Sequence, residues 1–324
     1  MENRFKYILY SFLPAIIYLT VQFAMVIFVT QIQVVKATAE FSGSTFREYL
    51  DDLVALSRGN DTVIMLSLLS GLVALIIFGV WYHALRRQGV KDFKGYFDEM
   101  NARHNNGAGF KSEAAEQILE AGEEAKGLFL GCKLTMIPGI ILFVVGLQMI
   151  SLYMIEFISK AFPEWIAVYE AMLQRNGLDD AGSSIFVVIN AVLVGPIVEE
   201  LGFRGLTYGY ARRALPLWAA NCVQAVLFAG MHMNAIQSLY TLCFGLLVGY
   251  IYAKCRNIAI PIIIHSCFNL TSVVAGGFRY LGETPAAFFV ILLISLTATY
   301  FGFMMILGSI PVAVKVDPED EWQE

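Results

Sequence analysis

Residues 182–213 read GSSIFVVINAVLVGPIVEELGFRGLTYGYARR. Gly182 to Val198 carries no charge and begins a membrane crossing, and Glu199 and Glu200 then follow with no turn residue before them. Gly195-Pro196 predicts at most a kink, and nothing in residues 205–211 breaks a helix. One long helix is therefore expected from about Ser184 to Arg213, with the acidic pair near its middle. At 1.5 Å per residue, Glu199 lies roughly 21 Å along the axis from Arg213. An apolar helix that carries two acids at mid-depth belongs in a membrane bundle only if something else in the bundle answers them.

The whole composition agrees with that setting. Of 324 residues, 57% are apolar and 15% charged, against roughly 25% charged in soluble domains. Such a chain has too little polar surface for two soluble domains, a disordered chain or a collagen-like one. A net charge of −5 with no sustained basic run argues against nucleic acid as a partner. The five cysteines have no CxxC spacing, so neither a disulfide framework nor a zinc ribbon is expected. The first apolar stretch is too long for a cleavable signal and reads as a first span.

The expected fold is all-α, a polytopic bundle of about eight transmembrane helices. Uncharged windows of crossing length occur within 7–35, 62–85, 134–155, 182–198, 215–231, 238–253, 257–278 and 284–314. With Arg204 inside a span, 21 of the 22 Lys and Arg lie in connections. If the N-terminus is cytoplasmic, 15 of these are inside and six outside, the latter being Lys36, Arg47, Arg58, Lys160, Arg175 and Arg279. That asymmetry predicts both termini on the cytoplasmic side. Residues 1–180 are expected to hold three spans and two long polar loops, 181–314 the helical core with the site, and 315–324 an acidic tail.

In the first loop, Thr45-Phe46-Arg47-Glu48 is a capping-box pattern that opens a short helix with Tyr49, Leu50, Leu53 and Leu56 at helical spacing. The second loop carries an Asn105-Asn106-Gly107 turn and an acidic helical stretch from Ser112 to Lys126. Lys133 is expected to snorkel to the inner surface, and His83 and His104 to be interfacial or solvated. Asn190 and Gln148 read as packing glue. Gly205-x-x-x-Gly209 and Gly245-x-x-x-Gly249 read as close helix contacts.

The remaining polar residues converge. From the turn at Pro216 the fifth helix runs through Phe228 to His232, about 24 Å away, so Glu199 and His232 share a depth. After the basic turn at Lys254 and Arg256, His265 and Asn269 reach the same level. Glu200 and Arg204 are i,i+4 and can pair. Glu199 is turned about 100° away and can face another partner. Phe228 and His232 share a face, as do His265 and Asn269. A carboxylate beside a histidine can hold and deprotonate water. A second histidine with an amide can stabilise an oxyanion. These parts suit acyl-group hydrolysis.

Glu199-Glu200-x-x-x-Arg204, Phe228-x-x-x-His232 and His265-x-x-x-Asn269, with the glycine-rich Phe244-Gly245-x-x-x-Gly249-Tyr250, resemble the CAAX protease and bacteriocin-processing family of intramembrane proteases. That family includes the type II CAAX prenyl endopeptidases, and the resemblance covers about residues 185–275. It implies a glutamate-activated water, with no obligatory metal or other cofactor. It implies Glu199 as general base, His232 positioning the water, His265 and Asn269 at the oxyanion, and Glu200, Arg204 and Phe228 in support. It also implies a peptide or membrane-protein substrate, lipidated or otherwise membrane-associated, met within membrane lipid.

Other readings stay open on the residues alone. Glu199, His232 and His265 are all possible zinc ligands. A non-proteolytic binding protein, such as a peptide-immunity or signalling partner, would keep the same bundle. A transporter could use the acids as proton carriers, although no paired inverted repeats are seen.

Overall fold

The computed structural model describes residues 2–57, 61–103, 134–175, 184–274 and 284–310. All regular elements among them are helices: α1 (Glu2–Glu40), α2 (Phe46–Ser57), α3 (Asp61–Arg103), α4 (Met136–Ala161), α5 (Pro163–Arg175), α6 (Ile185–Ala211), α7 (Leu217–Gly230), α8 (Ala235–Cys255), α9 (Ala259–Val274) and α10 (Pro285–Ser309). The Asn105-Asn106-Gly107 turn, His104, Ser112–Lys126, Lys133 and the tail from Lys315 lie outside the described residues.

The chain is a multi-pass integral membrane protein. Among the described residues, six helices are long and apolar enough to cross a bilayer: α1, the Ser67–Arg87 part of α3, α4, α6, α8 and α10. The two other expected spans are shorter than the sequence windows suggested. α7 has 14 residues and α9 has 16, about 21 and 24 Å, against a hydrocarbon core of about 30 Å. Each buries one face in the bundle, Ala220, Gln224 and Phe228 on α7 and Ile260, Ile264 and Phe268 on α9, and leaves Trp218, Val226, Leu270 and Val274 exposed. α3 runs on past Arg86 to Arg103, so the basic end of the second span is the middle of a helix rather than its end.

α6 is the axis of the molecule. It is helical throughout, as its sequence predicts, but two of its stretches, Asn190–Val194 and Leu201–Thr207, are wound as π-helix. On one side Ala74, Phe78 and Leu85 of α3 pack against Val194, Val198, Leu201 and Leu206. On the other, Phe203 joins a second core built from α4, α7, α8, α9 and α10. Residues 201–208 are all buried as a result. At the basic end, Trp81 Nε1 donates to the Tyr210 hydroxyl at 2.8 Å, and Arg213 lies 5.3 Å over the Tyr7 ring.

Close helix contacts depend on missing side chains. A Cβ at Gly302 would run into the backbone of Phe143, so α10 and α4 touch backbone to backbone. The glycines of the two expected small-residue motifs act likewise. Gly205 faces the Tyr82 ring and Gly209 faces Leu85, while a Cβ at Gly249 would occupy the space of the Asn221 and Gln224 amides. Those amides tie α7 to α8: Gln224 Nε2 donates to the Gly245 carbonyl at 2.9 Å and Asn221 Nδ2 to that of Leu246 at 3.0 Å.

The expected capping box opens α2. Thr45 Oγ1 accepts from the Glu48 amide at 3.3 Å, and Glu48 Oε2 accepts from the amides of Thr45 at 3.1 Å and Ser44 at 2.8 Å. Those two backbone donors hold the Glu48 carboxyl below its usual range.

Candidate active site

Glu199 and Glu200 end the α-helical turn Gly195–Glu200, directly before the second π stretch. A π-wound turn carries i→i+5 hydrogen bonds and widens the helix, a feature frequent at functional sites. Arg204 lies within it and donates Nη1–H to Glu200 Oε1 at 2.9 Å, with both side chains fully buried. The expected i,i+4 pair therefore forms. The guanidinium also lies 4.4 Å over the Phe228 ring and 5.9 Å from the Phe244 ring, a cation–π enclosure in place of water.

α9 brings the second partner of Glu200. His265 Nδ1 is 2.7 Å from the same Oε1. An ionised carboxylate only accepts, so Nδ1 carries the proton and donates. Nε2 of the same ring lies 3.7 Å from Glu199 Oε2, beyond a direct hydrogen bond. The imidazole thus stands between the two neighbouring carboxylates, bonded to one and facing the other. Phe244 packs against it at 4.9 Å and Phe228 meets it edge to face at 5.8 Å.

Asn269, one turn further along α9, donates Nδ2–H to the Ala191 carbonyl at 2.7 Å. Ala191 is in the first π stretch, where the altered ladder leaves a backbone acceptor to be satisfied from outside the helix. The amide is thus tied to the α6 backbone through one of its N–H groups. His265 pairs with residue 200 and Asn269 with residue 191, so α9 runs antiparallel to α6.

His232 does not sit on a helix, as its sequence suggested. α7 stops at Gly230, and Met233 has a left-handed backbone, φ 50°. The chain turns there, and two carbonyls at the helix end meet side chains, that of Ala229 in addition to accepting from the His232 amide at 3.2 Å. Ser238 Oγ donates to Ala229 at 2.8 Å, and His232 Nδ1 lies 2.9 Å from the Phe228 carbonyl. Since a carbonyl only accepts, Nδ1 again carries the proton, and Nε2 is the nitrogen left to serve a ligand. The ring still packs edge to face on Phe228 at 5.1 Å. Phe228 therefore touches Arg204, His232 and His265 at once.

A cavity of about 320 Å³ opens beside these groups. Glu199 and His232 line it, with Phe203, Phe228 and Met231 from the core and, on the far wall, Tyr18 and Gln22 of α1. Glu200, Arg204, His265 and Asn269 are not among its lining residues. The polar set is therefore divided. Glu199, whose side chain is 21% exposed, and His232 reach the cavity, while the Glu200–Arg204–His265 network is closed off behind them. Among the described residues, no group of three or more His, Cys, Asp and Glu side chains converges as a metal site would need.

Two contributions were not foreseen from the sequence. Phe244 serves as the ring beneath both Arg204 and His265, and α1 supplies a polar wall from within its uncharged stretch, residues 7–35. For α1 the available signal was the i,i+4 spacing of Tyr18 and Gln22, two hydrogen-bonding residues on one face of an apolar run.

Residues 181–271 match the family model described as type II CAAX prenyl endopeptidase Rce1-like. The match covers the same segment as the three motifs and includes every residue of the polar set. A relative from Bacillus subtilis (strain 168), named "Putative membrane peptidase YdiL", is 27% identical over 88 residues, 27% of this chain and 36% of that protein. The aligned part thus spans about a third of that relative's length. No solved structure matches. The helices α1 to α5 all precede the matched region.

Proposed function

We propose that the chain is an intramembrane endopeptidase of the glutamic type, acting on a membrane-associated or lipidated peptide or protein. The observation that carries this reading is the shared cavity. A carboxylate and an imidazole, each with an atom available to a ligand, line one pocket within an otherwise apolar bundle. Unpaired acids at such depth are costly to keep without a function.

In this mechanism Glu199 accepts a proton from a water held between its carboxylate and His232 Nε2, and the water oxygen bonds to the scissile carbonyl carbon. The carbonyl oxygen becomes an oxyanion. His265 and Asn269 do not line the cavity, so a bound substrate has to open the wall in front of them; His265, with Nδ1 fixed by Glu200, then meets that oxygen through Nε2, as a donor when protonated there. Asn269 can contribute only the N–H not spent on Ala191. Collapse of the tetrahedral intermediate breaks the C–N bond, and the leaving amine takes the proton from Glu199. Glu200 and Arg204 hold the imidazole at its angle. Residues 181–314 supply most of this machinery, and α1 completes the cavity from across the boundary at residue 180. Both termini are placed on the cytoplasmic side.

The test is cleavage of a farnesylated CAAX-type peptide and of unlipidated membrane peptides by full-length protein in proteoliposomes. Wild type is compared with Glu199→Gln, His232→Ala and His265→Ala at equal folded amount. Cleavage by wild type and loss in all three supports the proposal. Equal products from all four proteins sink it. Products from none of them, together with a cellular phenotype that survives all three substitutions, favour a non-proteolytic binding role on the same bundle.

A further inference from the structure

Arg204 carries more donors than Glu200 uses. Nη1 goes to the carboxylate, but Nε and Nη2 are buried with no hydrogen-bond partner among the described residues. The Phe228 and Phe244 rings answer the charge. They do not answer the N–H groups, which call for an acceptor atom. Two further groups on α6 and α7 stand alike: Thr207 Oγ1 and Gln224 Oε1 are buried without a partner among the described residues, and both residues are fully buried. Buried polar groups in native proteins are almost always paired, to protein or to ordered water.

The packing of α6 against α7 brings these groups to one place. The two helices are antiparallel, and their contacts set the register. Phe203 meets Phe228 edge to face at 5.3 Å, Arg204 lies 4.4 Å over the same ring, and Ala211 and Ala220 share one buried cluster. Steps of four keep to one face of a helix. Four residues on from Phe203 is Thr207, and four before Phe228 is Gln224; four more in each direction give Ala211 and Ala220. Thr207 therefore faces Gln224, one level from Arg204 on the side of the turn at Pro216. The Gln224 amide is oriented as well. Its Nε2 donates to the Gly245 carbonyl of α8 at 2.9 Å and to Asn221 Oδ1 at 2.8 Å, so Oε1, at the other end of the amide, points away from both acceptors.

We infer that ordered water is bound between Arg204, Thr207 and Gln224, accepting from the guanidinium and donating to Gln224 Oε1, with the Thr207 hydroxyl as a third partner. The ligand class follows from the donors and acceptors. Arg204 only donates and Gln224 Oε1 only accepts, while a hydroxyl does either. Water serves both kinds at once and reaches the about three hydrogen bonds usual for a buried molecule. An anion would leave the Gln224 oxygen unpaired, and a cation would meet the guanidinium. None of the three residues lines the cavity, so this site is separate from the one proposed for catalysis and stands whether or not that cavity hydrolyses a peptide. It extends the buried chain behind the cavity by one member: water on Arg204, Arg204 on Glu200, Glu200 on His265.

The experiment is a structure of the full-length protein crystallised from lipid, at a resolution that shows ordered water. In wild type a water peak is expected within hydrogen-bond reach of Arg204 Nε or Nη2 and of Gln224 Oε1. A map with no water there, or with Arg204 bonded directly to Thr207 Oγ1 or Gln224 Oε1, overturns the inference. Unfolding titrations of Thr207→Val, Gln224→Met and the double variant read the same site in solution. Thr207→Val keeps the branched shape and removes one partner of the water, and Gln224→Met removes another. Residues that share a partner are coupled, so the double variant is expected to lose less stability than the two single losses added together. Strictly additive losses overturn a shared water. The wild-type map decides even where a variant fails to fold.

Discussion

Glu199 and Glu200 are neighbours on one helix and at one depth, yet they occupy different surroundings. Glu200 is fully buried, and a single oxygen of it receives both Arg204 and His265. Glu199 is turned to the cavity, keeps a fifth of its side chain exposed, and has its nearest imidazole nitrogen at 3.7 Å. The roughly 100° between successive residues on a helix produces this separation. A charge without water must be matched by partners, so Glu200 is tied to the fold. A charge that keeps a cavity can exchange its partner, and the proposed mechanism uses that freedom to take a proton from water. Two adjacent acids thus divide structure from chemistry without any sequence between them.

The sharpest way to break that division is to neutralise each acid in turn. Glu199→Gln is expected to lower cleavage about 10²–10⁴-fold, the range for a lost general base, while the unfolding midpoint in detergent titration stays where it is. Glu200→Gln is expected to do the reverse at first order, moving the midpoint because Arg204 loses its counter-charge. If Glu199→Gln unfolds the protein as readily as Glu200→Gln, the two carboxylates belong to one structural cluster and the comparison fails.

Removing the cation probes the closed side alone. Arg204→Met leaves Glu200 charged with His265 as its ion-pair partner, and breaking a buried pair costs about 3–5 kcal/mol of stability. The double substitution Glu200→Met with Arg204→Met is expected to recover most of that loss, since apolar replacements of buried pairs are often neutral. Unfolding titrations of the three proteins decide it. A double variant that folds well and still cleaves slowly would make the pair a scaffold for His265. One that folds well and cleaves normally would remove the pair from the mechanism.

Asn269 offers a smaller test on the same helix. Asn269→Ala leaves the Ala191 carbonyl of the first π stretch without its donor, which is worth about 1–3 kcal/mol for a buried group. Hydrogen exchange at residues 190–194 is expected to rise along with the loss of stability. If stability falls and exchange there is unchanged, Asn269 is not what holds that turn.

How much of this could be read from the chain depends on how local each interaction is. The Glu200–Arg204 pair, the edge-to-face packing of His232 on Phe228 and the capping box at Thr45 are all fixed within about one turn of backbone, and helical spacing predicts them. The first π stretch is not legible, because its Ala191 carbonyl finds its donor in Asn269, 78 residues away. His265 on Glu200 spans 65 residues and is set by helix docking, not by periodicity. The end of α7 is marked only by Gly230 and by Asn234, the cap of α8, while the left-handed residue itself is Met233, a type that gives no turn signal. The α1 wall is not legible because the uncharged middle of that helix, residues 7–35, gives no electrostatic reason to look there.

α9 carries a further polar residue that reaches a neighbouring helix from an exposed position, and it supplies the smallest effect. Ser272 Oγ donates to Gln148 Oε1 of α4 at 2.9 Å. The same hydroxyl lies 3.1 Å from the Phe268 carbonyl of its own helix, so its proton has an alternative acceptor. Ser272→Ala removes an interhelical bond of the ordinary membrane kind, worth about 0.6 kcal/mol on average, with no charge left unpaired and no backbone group stranded. The expected series along this face is therefore large for His265, moderate for Asn269 and small for Ser272. It follows from what each side chain leaves behind: an imidazole pairing to a buried carboxylate, a carbonyl in a widened turn, and an amide oxygen next to an optional donor. Detergent-unfolding midpoints and cleavage rates of the three alanine variants test the order. A Ser272→Ala protein less stable than Asn269→Ala would mean that the docking of α9 on α4, not its bond to the π stretch, sets the position of His265 between the two glutamates.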